Sequence, residues 1–117
     1  MEDKTLTMTM LFDFFGDLLT EKQREYFDLH YNEDLSLAEI AESAGISRQG
    51  VRDHIVRAEA TLLAAEQKTG IVRRFSAVHA AAQAISEDVR QIRAHTQDAQ
   101  IRALTEDILR QLEELEV

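Results

Sequence analysis

The chain contains no cysteine and no proline. Without thiols, disulfides and thiolate metal sites are excluded. Without proline, and with four glycines standing far apart, few positions force a helix to break. Aromatic residues are scarce at 6%. Alanine, leucine and isoleucine supply most of the apolar surface, which suits helices better than sheets. No apolar run approaches the ~20 residues that a membrane span requires, so membrane insertion is not expected. Basic charge is also in short supply, with 13 Lys and Arg against 22 Asp and Glu, a net charge of −9. Such a field repels phosphates, so nucleic-acid binding has to come from a local basic surface. The opening Met1-Glu2-Asp3-Lys4 is acidic where a secretory signal needs positive charge. A cytoplasmic protein is expected.

What is present is helical patterning. The 117 residues predict one small all-α domain with a helical extension. From Thr5 to Leu19, one row runs through Leu6, Met10, Phe14 and Leu18, and its neighbour through Leu11, Phe15 and Leu19. Thr20 with Gln23, and Ser36 with Glu39, have the spacing of capping boxes that open a second and a third helix. Tyr26, Phe27 and Tyr31 fall at helical spacing and are read as core rather than as a base-stacking platform. Gly45 ends the third helix, and Ser47 caps a fourth that runs to about Gln67, with Gly70 marking its end. The expected division is 1–70 for a helix-turn-helix domain and 71–117 for a C-terminal helical, dimer-forming segment. In that segment Ile71, Phe75, Val78, Ala82, Ile85, Val89 and Ile92 form a heptad seam. Ile101, Leu104, Ile108, Leu112 and Leu115 form a second stripe after an expected break near Thr96. The seam needs a cover, and a homodimer is favoured over the chain's own last helix.

The centre of the chain carries the functional signal. From Leu37 to Ile55, a small residue (Ala41), a turn glycine (Gly45), a cap (Ser47) and the apolar positions Ile40, Ala44, Ile46, Val51 and Ile55 stand in the register of a helix-turn-helix. In that motif the start of the second helix enters the major groove. Arg48, Gln49, Arg52 and Asp53 are the candidates for reading bases, since arginine suits guanine and glutamine suits adenine. Ser47 and Arg57 are the candidates for phosphate contact. Three arginines against one aspartate between Ser47 and Ala58 give a local charge of +2. Glu39, Glu42 and Glu59 are expected to lower the potential around them. His54 falls beside the buried row and is read as a packing residue.

These residues resemble the YlxM family. The likeness is carried by Asp13-Phe14-Phe15 with Leu18 to Gln23, by Ser36 to Glu42, by Ser47 to Asp53, and by Arg57-Ala58-Glu59 with Leu62 and Glu66. It covers about residues 1–75. The same region is similar, more loosely, to the region-4 helix-turn-helix domain of sigma factors. The resemblance implies a small bacterial helix-turn-helix protein, encoded beside components of the signal recognition particle and acting in that pathway or as a regulator. The family usually has alanine where Gly50 stands, an aromatic at Arg52 and asparagine at His54.

No nucleophile, base or metal set assembles from the sequence, the glycines are too isolated for a phosphate loop, and neither an enzyme nor a cofactor is expected. The expected function is a nucleic-acid-binding or regulatory protein with DNA or RNA as partner, possible partners also being the protein or RNA of the signal recognition particle. The alternative is an acidic adaptor that binds components of that particle without reading DNA.

Overall fold

A computed structural model of the chain describes residues 4–115. Among these residues there is helix and no strand. The first helix, α1 (Lys4–Phe15), passes through a short 3-10 turn at Gly16–Leu18 into α2 (Glu21–Tyr31). Then come α3 (Leu37–Ala44), α4 (Arg48–Thr69), α5 (Ile71–Ala94) and α6 (Ala99–Glu114). The chain forms two compact units, one reaching to Val72 and the other beginning at Arg73.

Local chemistry sets the helix ends. Thr20 Oγ1 accepts the Gln23 amide at 3.2 Å, and Gln23 Oε1 accepts the Thr20 amide at 3.0 Å. Ser36 and Glu39 repeat the exchange at 3.1 and 2.9 Å. Both capping boxes are therefore complete and satisfy amides that the first turn leaves over. These bonds to Ser36 hold the Glu39 carboxyl below its usual pKa. Gly70 closes α4 in the left-handed conformation (φ 62°), and the Glu66 carboxylate accepts the Val72 amide at the start of α5.

The first unit has two clusters of buried side chains. Met8, Leu11, Phe15 and Leu19 pack with Phe27, Ala58 and Leu62. Tyr26 packs with Ile40, Ala41, Val51 and Ile55. Tyr31 touches both clusters. Tyr26 and Phe27 are thus core, as their spacing implied. The first row of α1 is not: Leu6, Phe14 and Leu18 are exposed. The row that is buried runs through Met8, Leu11 and Phe15, because it is this side of α1 that meets Phe27 and the small Ala58. The 3-10 turn then shifts the register, so that Leu19 points inward and Leu18 outward.

The second unit is made of two helices, with the chain leaving helical geometry between His95 and Asp98. The break near Thr96 is present. Asp98 caps α6 by accepting the amides of Gln100 and Ile101, and the Arg102 guanidinium donates to the Arg93 carbonyl at 3.1 Å. Ala82, Ser86 and Val89 are buried on α5, as are Thr105 and Leu112 on α6. Val89 and Thr105 lie equally far from Gln97 in the turn, as do Ala82 and Leu112. That symmetric spacing about the turn is the pattern of an antiparallel hairpin.

One polar contact ties three helices of the first unit. The Tyr31 hydroxyl donates to Glu59, and Lys4 Nζ lies 3.8 Å from the same carboxylate. Burial first, then the Glu59 hydrogen bond and charge, push the Tyr31 phenol well above its ordinary pKa of 10.0. Tyr31→Phe should cost about 1–2 kcal/mol at neutral pH, measured by urea unfolding. Because the folded pKa is raised, the wild-type advantage is full below pH 10 and fades as pH rises beyond it. A difference that stays constant up to pH 11 contradicts this assignment.

Candidate nucleic-acid interface

Helices α3 and α4 meet through a tight turn. Gly45 adopts φ 72°, ψ 28°, and the amides of Gly45 and Ile46 both donate to the Ala41 carbonyl, at 2.9 and 3.2 Å. No heavy atom lies within 4 Å of where a Cβ would be at Gly45, so the glycine is required by its backbone angle and not by crowding. Ser47 then caps α4, its Oγ accepting the Gly50 amide at 3.0 Å. Ile40, Ala41, Val51 and Ile55 fill the space between the two helices. Ala44 and Ile46, also expected there, are exposed, because the turn carries them outside the contact.

Ser47, Arg48, Gln49, Arg52, Asp53 and Arg57 are all exposed on α4. Their positions divide them. At about 100° per residue, Arg48 and Arg52 share one flank, Gln49 and Asp53 occupy the middle, and Arg57 lies half a turn around from Arg48. The side chains therefore do not form one continuous basic patch. Gln49 Nε2 donates to Asp53 Oδ1 at 2.9 Å. To meet a base with both its amide groups, Gln49 has to give up that bond.

Arg48, Gln49 and Arg52 line an open groove of about 640 Å³ together with Ser36, Leu37 and Ala38 at the start of α3. The sequence marks Ser36 as a helix cap, but none of these three residues as a candidate contact. Their signal was the Ser36 cap, which marks a helix N-terminus where backbone amides attract an anion. Glu39 weakens that attraction, since its carboxylate already accepts the Ser36 amide. Glu59 was expected to depress the potential around the arginines. Its carboxylate accepts from Tyr31 and lies near Lys4, with its side chain only 17% exposed. His54 is partly buried and packs edge-on against Tyr26, with ring centres 5.2 Å apart, as a packing histidine does. Among the described residues no group of histidines and carboxylates is placed to hold a metal.

Two helices crossing through a glycine turn, with a capped second helix presenting polar side chains, define a helix-turn-helix protein. Comparison with known proteins agrees. The chain belongs to the UPF0122 family, whose model, described as "Putative helix-turn-helix protein, YlxM / p13 like", matches residues 2–114. The UPF0122 protein of Thermoanaerobacter sp. (strain X514) is 44% identical over 115 residues, 98% of each chain. That of Caldanaerobacter subterraneus subsp. tengcongensis is 45% identical over 115 residues, again 98% of each chain. The UPF0122 protein of Halalkalibacterium halodurans is 53% identical over 75 residues, 64% of this chain and 69% of that one. The family match thus extends past the 75 or so residues that carried the resemblance in the sequence, into α5 and α6.

Gly50 sits in the first turn of α4 without a positive φ. A Cβ there would lie 3.2 Å from Ser47 Oγ and 3.5 Å from Ile46 Cδ1. The hydroxyl has to shift by only a few tenths of an ångström, while alanine gains up to ~1 kcal/mol of helix propensity. Gly50→Ala should therefore stabilise the protein by about 0.5 kcal/mol, seen as a higher urea midpoint with an unchanged slope. A lower midpoint would show that the Ser47 cap cannot yield.

Proposed function

We propose that this chain binds nucleic acid through the start of α4, with Arg48 and Arg52 as the main contacts. The observation that carries the reading is the groove in which these two arginines converge with the N-terminal turn of α3. Phosphate would be held there by guanidinium groups and backbone amides. Gln49 and Asp53 are assigned to the bases, and Ser47 and Arg57 to phosphates on either side. The acidic field of the whole chain argues for weak, salt-sensitive binding by one copy, and two copies would engage two half-sites. The protein is read as a cytoplasmic regulator and a homodimer. The signal recognition particle pathway has the family resemblance as its support, with the particle's RNA or protein as the partner.

A second reading has its own observation. A groove of about 560 Å³ between α1 and α2 is lined by Phe12 and Phe14 and ringed by Asp13, Asp17, Glu21, Glu25 and Asp28. Arg24 on its rim is paired with Asp17. An apolar floor with an acidic rim suits a basic protein segment, the adaptor role.

The test is fluorescence anisotropy with random-sequence duplex DNA and with a structured RNA hairpin, between 50 and 300 mM salt. Arg48→Ala and Arg52→Ala should each weaken binding by about 1–2 kcal/mol and lower the salt slope by about 1. Glu21→Lys, on the acidic groove, should not weaken it. Absence of binding to both probes at 50 mM salt ends the nucleic-acid reading. Capture of a basic partner that Glu21→Lys abolishes, and Arg52→Ala does not, establishes the adaptor.

A further inference from the structure

The hairpin of α5 and α6 is built on one heptad pattern used twice. On α5 the positions are Val78, Ala82, Ile85, Val89 and Ile92, and on α6 they are Ile101, Thr105, Ile108, Leu112 and Leu115, with identical spacing. In each helix one column is turned inward, Ala82 and Val89 on α5 and Thr105 and Leu112 on α6. In each helix the other column is left out. Val78, Ile85 and Ile92 are 51, 46 and 50% exposed, and Ile101, Ile108 and Leu115 are 40, 39 and 59% exposed. Leu104 adds a seventh large aliphatic side chain at 59%.

The two outer columns fall on one side of the hairpin. Each lies about 50° from its buried column, in the same rotational sense. In antiparallel helices whose buried columns face each other, equal offsets of the same sense point to the same side. The result is a single aliphatic face spanning both helices. Ala77, Ala81 and Ala84 extend it on α5, all exposed. Glu87, Arg90, Arg102, Glu106, Arg110 and Glu113 fall toward the opposite side, while Arg74 and Asp88 fall on the aliphatic side, by the same count.

We infer that this face is covered by a second copy of the chain, the two hairpins closing into a four-helix bundle. Three observations favour a second copy as the occupant. The inner seam of the hairpin is thin, since Ala82, Ser86 and Thr105 contribute little apolar area. A unit of this size lies near the lower limit at which a core stands alone, and association is a common remedy. The exposed face carries seven large aliphatic side chains, each 39–59% exposed, and large apolar patches of this kind mark interaction surfaces. A two-fold interface requires a patch that matches itself, and heptad columns alternating with alanine meet that condition. This association does not rest on the nucleic-acid reading, and either can fail without the other.

Sedimentation velocity and light scattering on the full chain, from 1 to 100 µM, test it. The wild type should show twice the 13.3 kDa chain mass. Ile85→Glu and Ile108→Glu each place a carboxylate in the face, and should weaken association at least about a hundredfold while helical circular dichroism is kept. Glu106→Lys, on the other side, should leave the dimer intact. A wild type that is monomeric at 100 µM overturns the inference, even if the face binds a hydrophobic dye that Ile85→Glu abolishes; the face would then belong to a different partner. A dimer that both substitutions leave unchanged also overturns it. Should the variants lose helix, the unmodified chain decides: its melting temperature should rise with protein concentration, and independence from concentration refutes the dimer.

Discussion

The first unit depends on one apolar row along α4. Val51 and Ile55 close the contact with α3 and Tyr26, while Ala58 and Leu62 further along the same face receive α1 and Phe27. All four are buried, three of them within 1% of complete burial. The small Ala58 matters as much as the large residues, since it lets Phe27 and the α1 row approach the helix. A helix that is also the spine of its domain is held rigidly. Its outward side chains keep a fixed relation to α3, and that relation creates the groove shared by Arg48, Arg52 and the α3 N-terminus.

The distribution of charge around this spine bears on function more than the total does. Glu59 and Glu39 are both engaged by neighbours, Glu59 by Tyr31 and Lys4 and Glu39 by Ser36. Both carboxylates also hold helices together or cap them, and Glu39, whose pKa the Ser36 bonds lower, keeps its negative charge beside the groove. Asp53 acts differently, standing between the Arg48–Arg52 flank and Arg57 and holding Gln49. The candidate surface is therefore a narrow basic flank with a polar centre.

Much of this was legible in the sequence where the cause was local. Thr20 with Gln23, Ser36 with Glu39, Gly45 and Ser47 each predicted a helix end, and each end is where they place it. These signals act over three or four residues, so they need no knowledge of the rest of the chain. The exposed residues on α4 were legible too, because Val51 and Ile55 fix which side is inward. The groove with Ser36, Leu37 and Ala38 was not, since it depends on how α3 crosses α4. The engagement of Glu59 was equally hidden, its partners lying 28 residues away at Tyr31 and at the start of α1.

The sequence by itself determined that the chain is helical, where α2, α3 and α4 begin, and that its centre is a helix-turn-helix. Propensity, caps and periodicity decide those matters within a few turns of helix. Only the tertiary structure decided which apolar column each helix buries. In α1 the row through Leu6, Phe14 and Leu18 is outside and that through Met8, Leu11 and Phe15 inside. In α5 and α6 one heptad column is inside and its equal is left in solvent. Periodicity gives the width of an apolar stripe, but the part of it that is buried is set by the neighbour that packs there, and that neighbour comes from elsewhere in the chain.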